Sequence, residues 1–205
     1  MALQNYLNPI ILSGKNLSSL NKQFLSAKPY PHIVIKKFLK PEIANSLLKE
    51  IQKEKFKEKQ SDLFQFKQTD DLYFSKSKIV KEFHSTFLSW DFFHLVEKIT
   101  SEKLQGTLDM SASLYESTDF LLPHDDEIEG RKITYLLYLS KEFTEKNGSR
   151  FLIYNTMSNS PTSIAKKIPP EFNSLVLFKI SKKSFHEVEE NLSSKKRYTI
   201  GGWLY

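Results

Sequence analysis

The spacing of hydrophobic positions changes near the middle of the chain. In the first half it is helical. Residues 17–27 fit a short helix. Ile43, Leu47, Leu48 and Ile51 recur at helical spacing after Pro41, which suits a first-turn position, so a helix is predicted over about 41–55. Ile79, Phe83 and Phe87, then Phe92, Leu95, Val96 and Ile99, predict more helix over 78–103, with Ser89 or Asp91 capping its second part. Two short β segments interrupt this half. One is a β-branched run at 32–36 that starts after Pro29 and Pro31; the other is a weak alternation at 62–67. From about residue 105 the period becomes two. Leu108, Met110, Ala112 and Leu114 alternate with polar residues, as do Ile133, Tyr135, Leu137 and Leu139. Short apolar segments follow at 151–155, 174–180, 184–188 and 197–205. Many short strands at this spacing predict a sandwich or barrel. The fold class is therefore α+β, with helices first and a β-rich second half.

Composition narrows the class further. The chain has 205 residues, 40% hydrophobic and 13% aromatic, enough to build one core and too apolar for a disordered chain. With no repeat and no long linker, one domain is expected over 1–205. The absence of cysteine excludes disulfides, thiol catalysis, iron–sulfur clusters and Cys-ligated zinc, so any metal must be held by His and carboxylates. No apolar run approaches the ~20 residues that span a bilayer, and residues 1–12 lack the basic and apolar regions of a secretory signal, so a cytoplasmic protein is expected. Thirty Lys and Arg against 24 Asp and Glu give a net charge of +6, which permits a phosphate-rich partner without requiring one.

The candidate chemistry lies with the histidines. His32 falls in a strand, and His84 and His94 are ten residues apart in helical segments, off a shared i, i+4 face; these three read as structural. His124 opens HDDEIEG, and an extended segment would turn His124 and Asp126 to the same side. That motif alone decides nothing, since five His and 24 acids give about 0.6 chance occurrences of His-x-(Asp/Glu). His186, in SFHEV on a later strand, would complete a triad of two imidazoles and a carboxylate, the facial set of non-haem Fe(II) oxygenases. Catalytic zinc accepts the same ligands. Arg197, in KRYTIGGW, would bind a cosubstrate carboxylate bidentately, or else be a surface charge in a basic run.

The segments HDDEIEGRKITYLLYL, IPPEFNSLVLFKI, SFHEV and RYTIGGW, in that order and spacing, resemble the 2-oxoglutarate/Fe(II)-dependent oxygenases. They are most similar to the prolyl-hydroxylase branch that modifies a small-subunit ribosomal protein in eukaryotes. LDMSASLYESTDFLLP, SDLFQFKQTDDL and PYPHIVIKKFLKPEIANSLLKE extend the resemblance over nearly the whole chain.

The resemblance implies a double-stranded β-helix (jelly-roll) core over 105–205, with the mainly helical region 1–104 packed on one sheet. It implies His124, Asp126 and His186 as iron ligands and Arg197 as the anchor of 2-oxoglutarate, with Thr199, Tyr115 and Tyr138 nearby. Each tyrosine has an alternative as an ordinary core aromatic. The implied reaction consumes O2 and 2-oxoglutarate, with ascorbate as reductant, and hydroxylates a prolyl residue with release of succinate and CO2. The implied partner is a proline-containing protein, a ribosomal protein among the candidates, in the cytoplasm or nucleus. Two other readings stay open: the same chemistry on a small molecule or another residue type, and a catalytically silent ribosome- or RNA-binding protein. The resembled hydroxylases carry a second, degenerate β-helix domain, and recruitment through one is not expected of these 205 residues. Where they have paired glycines before the strand at 151, Gly148-Ser149 stands here, a change expected to affect only turn geometry.

Overall fold

The computed structural model describes residues 2–205. Its helices are α1 (Gly14–Ser26), α2 (Pro41–Ile51), α3 (Lys78–Phe87) and α4 (Trp90–Thr100). Its strands are β1 (His32–Ile35), β2 (Lys57–Ser61), β3 (Phe64–Gln68), β4 (Ser111–Tyr115), β5 (Phe120–His124), β6 (Ile133–Tyr138), β7 (Phe151–Met157), β8 (Ser160–Ile168), β9 (Ser174–Lys179), β10 (His186–Val188) and β11 (Arg197–Leu204). Pro41 begins α2, and the Ser89 hydroxyl caps α4 by accepting from the Phe92 N–H, as the sequence predicts.

The strands run β1-β9-β6-β11-β4-β3-β5-β10-β7-β8, with β2 paired to β3, and neighbours are antiparallel. β3 divides its length between two partners: Lys67 and Gln68 pair with β4, while Phe64 and Gln65 pair with β5. The ladder therefore folds into two sheets that share a strand, β1-β9-β6-β11-β4 and β5-β10-β7-β8. They face each other across Tyr138, Val176 and Phe178 on one side and Phe151, Ile153 and Ile168 on the other. This is a jelly-roll with α+β composition.

The alternation in β6 decides which residues serve which layer. Ile133, Tyr135 and Leu137 pack outward into the helical layer, with Leu47, Phe83, Phe92, Val96, Leu177 and Ile200. Phe83, Phe87 and Phe92 stack with successive ring centroids 4.1 and 4.2 Å apart. Thr134, Leu136 and Tyr138 take the other parity, toward the interior between the sheets.

Three strands carry too little apolar alternation to be read from sequence. β2 is exposed at every position, β8 is exposed at most, and β5 has no polar–apolar alternation. The weak alternation at 62–67 is the second half of the β2–β3 hairpin. Gly148 and Ser149 both adopt left-handed backbone, and a Cβ at Gly148 would sit 2.2 Å from the Glu190 carbonyl oxygen.

Candidate metal centre

β5 and β10 bring the two imidazoles together. His186 lies opposite His124 in the ladder, and their ring centroids are 4.1 Å apart. The register then slips, so that Val188 pairs with Leu121, and this bulge leaves Leu122 and Pro123 to oppose Glu187. The two-residue spacing to Asp126 works differently from the extended geometry expected. β5 ends at His124, and Asp126 has φ 61°, in the left-handed region that Asp enters more readily than most side chains. The turn swings the carboxylate back: Asp126 Oδ1 lies 3.5 Å from His124 Nε2 and Oδ2 lies 3.5 Å from His186 Nε2. Ligand atoms of all three residues fall within 4.8 Å of one another. Donors about 2.1 Å from one ion and at right angles would stand about 3 Å apart, so the group fits a small cation.

Each imidazole is oriented from behind. His124 Nδ1 is 2.9 Å from the Leu122 carbonyl oxygen and His186 Nδ1 is 2.8 Å from that of Ser184. Donating from Nδ1 leaves each Nε2 with a free lone pair toward Asp126. Thr134 donates a 2.9 Å hydrogen bond to Asp126 Oδ2. Phe178 and Phe151 flank the His186 ring at 4.6 and 5.1 Å. Burial, then the neighbouring His124, lowers the pKa of His186, so it is a neutral imidazole at physiological pH. Burial opposes ionisation of Asp126, but His186 and His124, then Trp203 and Thr134, outweigh it and hold the carboxyl below its ordinary value.

A cavity of about 370 Å³ runs from this group to Arg197, along a wall that includes Tyr115, Ser113, Thr199 and Gly201. Arg197 is 1% exposed, so it is not a surface charge of the basic run. Its guanidinium carbon is 4.9 Å from the Tyr115 ring and 5.1 Å from that of Tyr138. Arg197 Nε and Nη2, the Tyr138 hydroxyl and Thr199 Oγ1 are all buried without a hydrogen-bond partner. Burial pushes the Tyr138 phenol up to about 12 and raises Tyr115 as well, in both cases tempered by Arg197, so both remain protonated donors. A buried cation among idle hydroxyls is costly unless an anion joins it. The residues present therefore fit a metal ion at one end and a dicarboxylate at the other. Zinc alone would leave Arg197 unexplained.

Among the described residues, the sequence candidates thus gather at one cavity: the triad, Arg197, Thr199 and Tyr115 line it, and Tyr138 stands beside the guanidinium. His32, His84 and His94 lie apart from the triad. His84 faces Asp71 at 3.5 Å, His32 lies 3.1 Å from Lys166 Nζ, and His94 sits beside Trp90. Sequence reasoning missed Thr134 and Trp203, which line the cavity near Asp126. The signal for Thr134 was its parity, opposite to the apolar set of its own strand.

Residues 110–205 match the family model of the 2OG-Fe(II) oxygenase superfamily. The chain is 38% identical over 184 residues to prolyl 3-hydroxylase OGFOD1 of Xenopus laevis, covering 88% of this chain and 36% of that protein. It is 42% identical over 117 residues to prolyl 3-hydroxylase OGFOD1 of Mus musculus, covering 56% of this chain and 22% of that protein. The chain thus spans about a third or less of the length of these curated relatives. Its fold is similar to that of a Trichoplax adhaerens prolyl hydroxylase solved with a hypoxia inducible factor peptide, with TM-score 0.73, 19% identity, and 93% and 90% of the two chains covered.

Proposed function

Because residues 110–205 match the 2OG-Fe(II) oxygenase superfamily model, we propose that the chain is a 2-oxoglutarate- and Fe(II)-dependent dioxygenase that hydroxylates a prolyl residue in a protein. The observation that carries this reading is the sharing of one cavity by the convergent His124, Asp126 and His186 and the unpartnered guanidinium of Arg197.

When bound, Fe(II) would supply, with 2-oxoglutarate and O2, the oxidising chemistry that places one oxygen atom in a C–H bond as hydroxyl and the other in succinate, with loss of CO2. The chain binds, orients and excludes. His124, Asp126 and His186 would hold the ion through Nε2, a carboxylate oxygen and Nε2. The Leu122 and Ser184 carbonyls fix the imidazoles in the tautomer this requires. Arg197 neutralises the distal carboxylate of the cosubstrate, and Thr199 and Tyr138 donate hydrogen bonds to it. Tyr115 packs against the guanidinium. Phe151, Phe178, Leu121 and Val188 keep water from the ligand group. Ascorbate as reductant and a cytoplasmic location belong to the same proposal. So does a ribosomal protein as substrate. Because the two curated relatives are named prolyl 3-hydroxylases, carbon 3 of the ring is the position to examine first.

The test is conversion of 2-oxoglutarate to succinate with Fe(II), ascorbate and proline-containing peptides, with the peptide mass rising by one oxygen atom. Succinate without any modified peptide, from a panel that includes ribosomal loops, would move the substrate to a small molecule or another residue. RNA binding that falls with salt, without metal-dependent uptake of 2-oxoglutarate, would replace the enzyme by a binding protein.

A further inference from the structure

The backbone turn at Asp126 begins a segment that folds back on the last strand. The Asp125 carboxylate accepts from the Glu127 N–H at 3.0 Å, and Ser184 Oγ donates to the Asp125 carbonyl at 2.9 Å. The Arg131 N–H donates to the Ile128 carbonyl at 3.1 Å, after Gly130 with φ 87°. Arg131 then lays its guanidinium on the indole of Trp203, 3.3 Å from the ring centroid. Among the described residues no other cation lies so close to an aromatic face; Arg197 and Lys141 stand about 5 Å from theirs. Arg131 Nε is buried without a hydrogen-bond partner, and the Trp203 indole is among the groups that hold the Asp126 carboxyl below its ordinary value.

Trp203 is the residue opposite Thr134 across β11 and β6, and Thr134 holds Asp126 Oδ2. The indole therefore sits beside the hydroxyl that orients the carboxylate, and both line the cavity at its metal end. Asp126 lies in a loop turn beyond the end of β5, with left-handed backbone, and no strand ladder fixes it in place. Its position depends on what is packed against it.

We propose that Arg131 is a positioning residue for Asp126: by stacking on Trp203 it clamps the indole against the carboxylate and ties the 125–130 segment to β11. The proposal rests on the reading of His124, Asp126 and His186 as metal ligands. Its ligand chemistry is that of a hard divalent cation, and Mn(II) serves as a probe that needs no turnover.

The experiment measures Mn(II) affinity by electron paramagnetic resonance on the metal-free full chain, alongside its thermal midpoint without metal. Arg131→Ala is expected to weaken Mn(II) roughly tenfold or more, the scale seen when partners behind metal ligands are removed. Arg131→Lys retains a cation without the planar stack and is expected to recover only part of that loss. Trp203→Phe keeps an aromatic face and removes the indole N–H; it too is expected to weaken Mn(II), and it stands in if Arg131→Ala does not fold. Wild-type Mn(II) affinity in Arg131→Ala, or in Trp203→Phe where the first variant is unfolded, overturns the clamp. In that case a loss of binding in Asp126→Ala would leave the ligand reading intact. A wild-type protein that binds no Mn(II) overturns both.

Discussion

His124 and His186 face one another across a ladder that slips by one residue immediately beyond them. The slip lets two rings 4.1 Å apart present their Nε2 atoms to the same carboxylate, while their Nδ1 atoms rest on carbonyls of their own strands' approach. Replacing either histidine by alanine is expected to reduce Mn(II) or Fe(II) affinity by more than about 100-fold, beyond the loss caused by removing an outer partner. Calorimetry and metal analysis check this. His186→Ala also empties space between Phe151 and Phe178 and is expected to be the less stable of the two variants.

Arg197 separates binding from stability. Arg197→Met removes a buried cation with two unpartnered nitrogens and leaves a side chain of similar length. Without cosubstrate the variant is expected to melt at the wild-type temperature or higher, since exchanging buried charge for apolar packing is neutral or favourable by about 1–4 kcal/mol. Its affinity for 2-oxoglutarate is expected to fall roughly 10- to 100-fold, the scale of one to two charge-assisted hydrogen bonds. Scanning calorimetry with and without 2-oxoglutarate reads both effects. Unchanged affinity would remove Arg197 from the carboxylate site.

The protein is expected to lose stability as pH falls below the ordinary histidine range. Burial lowers the pKa of His32, and the nearby Lys166 lowers it further against the Tyr30 carbonyl; burial likewise lowers His84, partly offset by Asp71. Below 6.5 the unfolded chain takes up protons at these positions and the folded chain does not, so unfolding becomes easier. The loss begins as pH drops through 6.5 and ends at the depressed folded values. His32→Gln is expected to flatten that part of the denaturant-midpoint profile, and an unchanged slope would exclude His32 as a contributor.

Gly202 sits where the backbone of residue 109 passes close by. A Cβ there would lie 2.0 Å from the Asp109 carbonyl oxygen. Gly202→Ala is expected to cost about 1–3 kcal/mol, as overpacking does, and to shift its neighbour Trp203. Chemical denaturation measures the first effect, and tryptophan emission in a Trp90→Phe background reports the second.

Helix positions were legible because burial imposes a spacing on them. Leu47, Ile51, Phe83, Phe87, Phe92 and Val96 all reach the core they were expected to build. β6, β9 and β11 were legible for the same reason. β2 and β8 were not, because hairpin pairing rather than a buried face makes KEKQS and SPTSIAKKI extended. At the metal centre the residue types were readable and the path between them was not. His-x-Asp suggested a continuous strand, whereas a left-handed turn delivers Asp126. Thr134 and Trp203 lie within segments that carry the resemblance, but their place beside Asp126 was not legible, because only the pairing of β6 with β11 makes them neighbours.

The idle nitrogens of Arg197 reach beyond turnover. A ligand that binds only the folded form shifts the folding equilibrium in proportion to its concentration relative to its dissociation constant. When the dicarboxylate is scarce, a larger fraction of chains is expected to open and meet proteases, so proteolytic lifetime should lengthen as the dicarboxylate is added, even where no substrate protein is present.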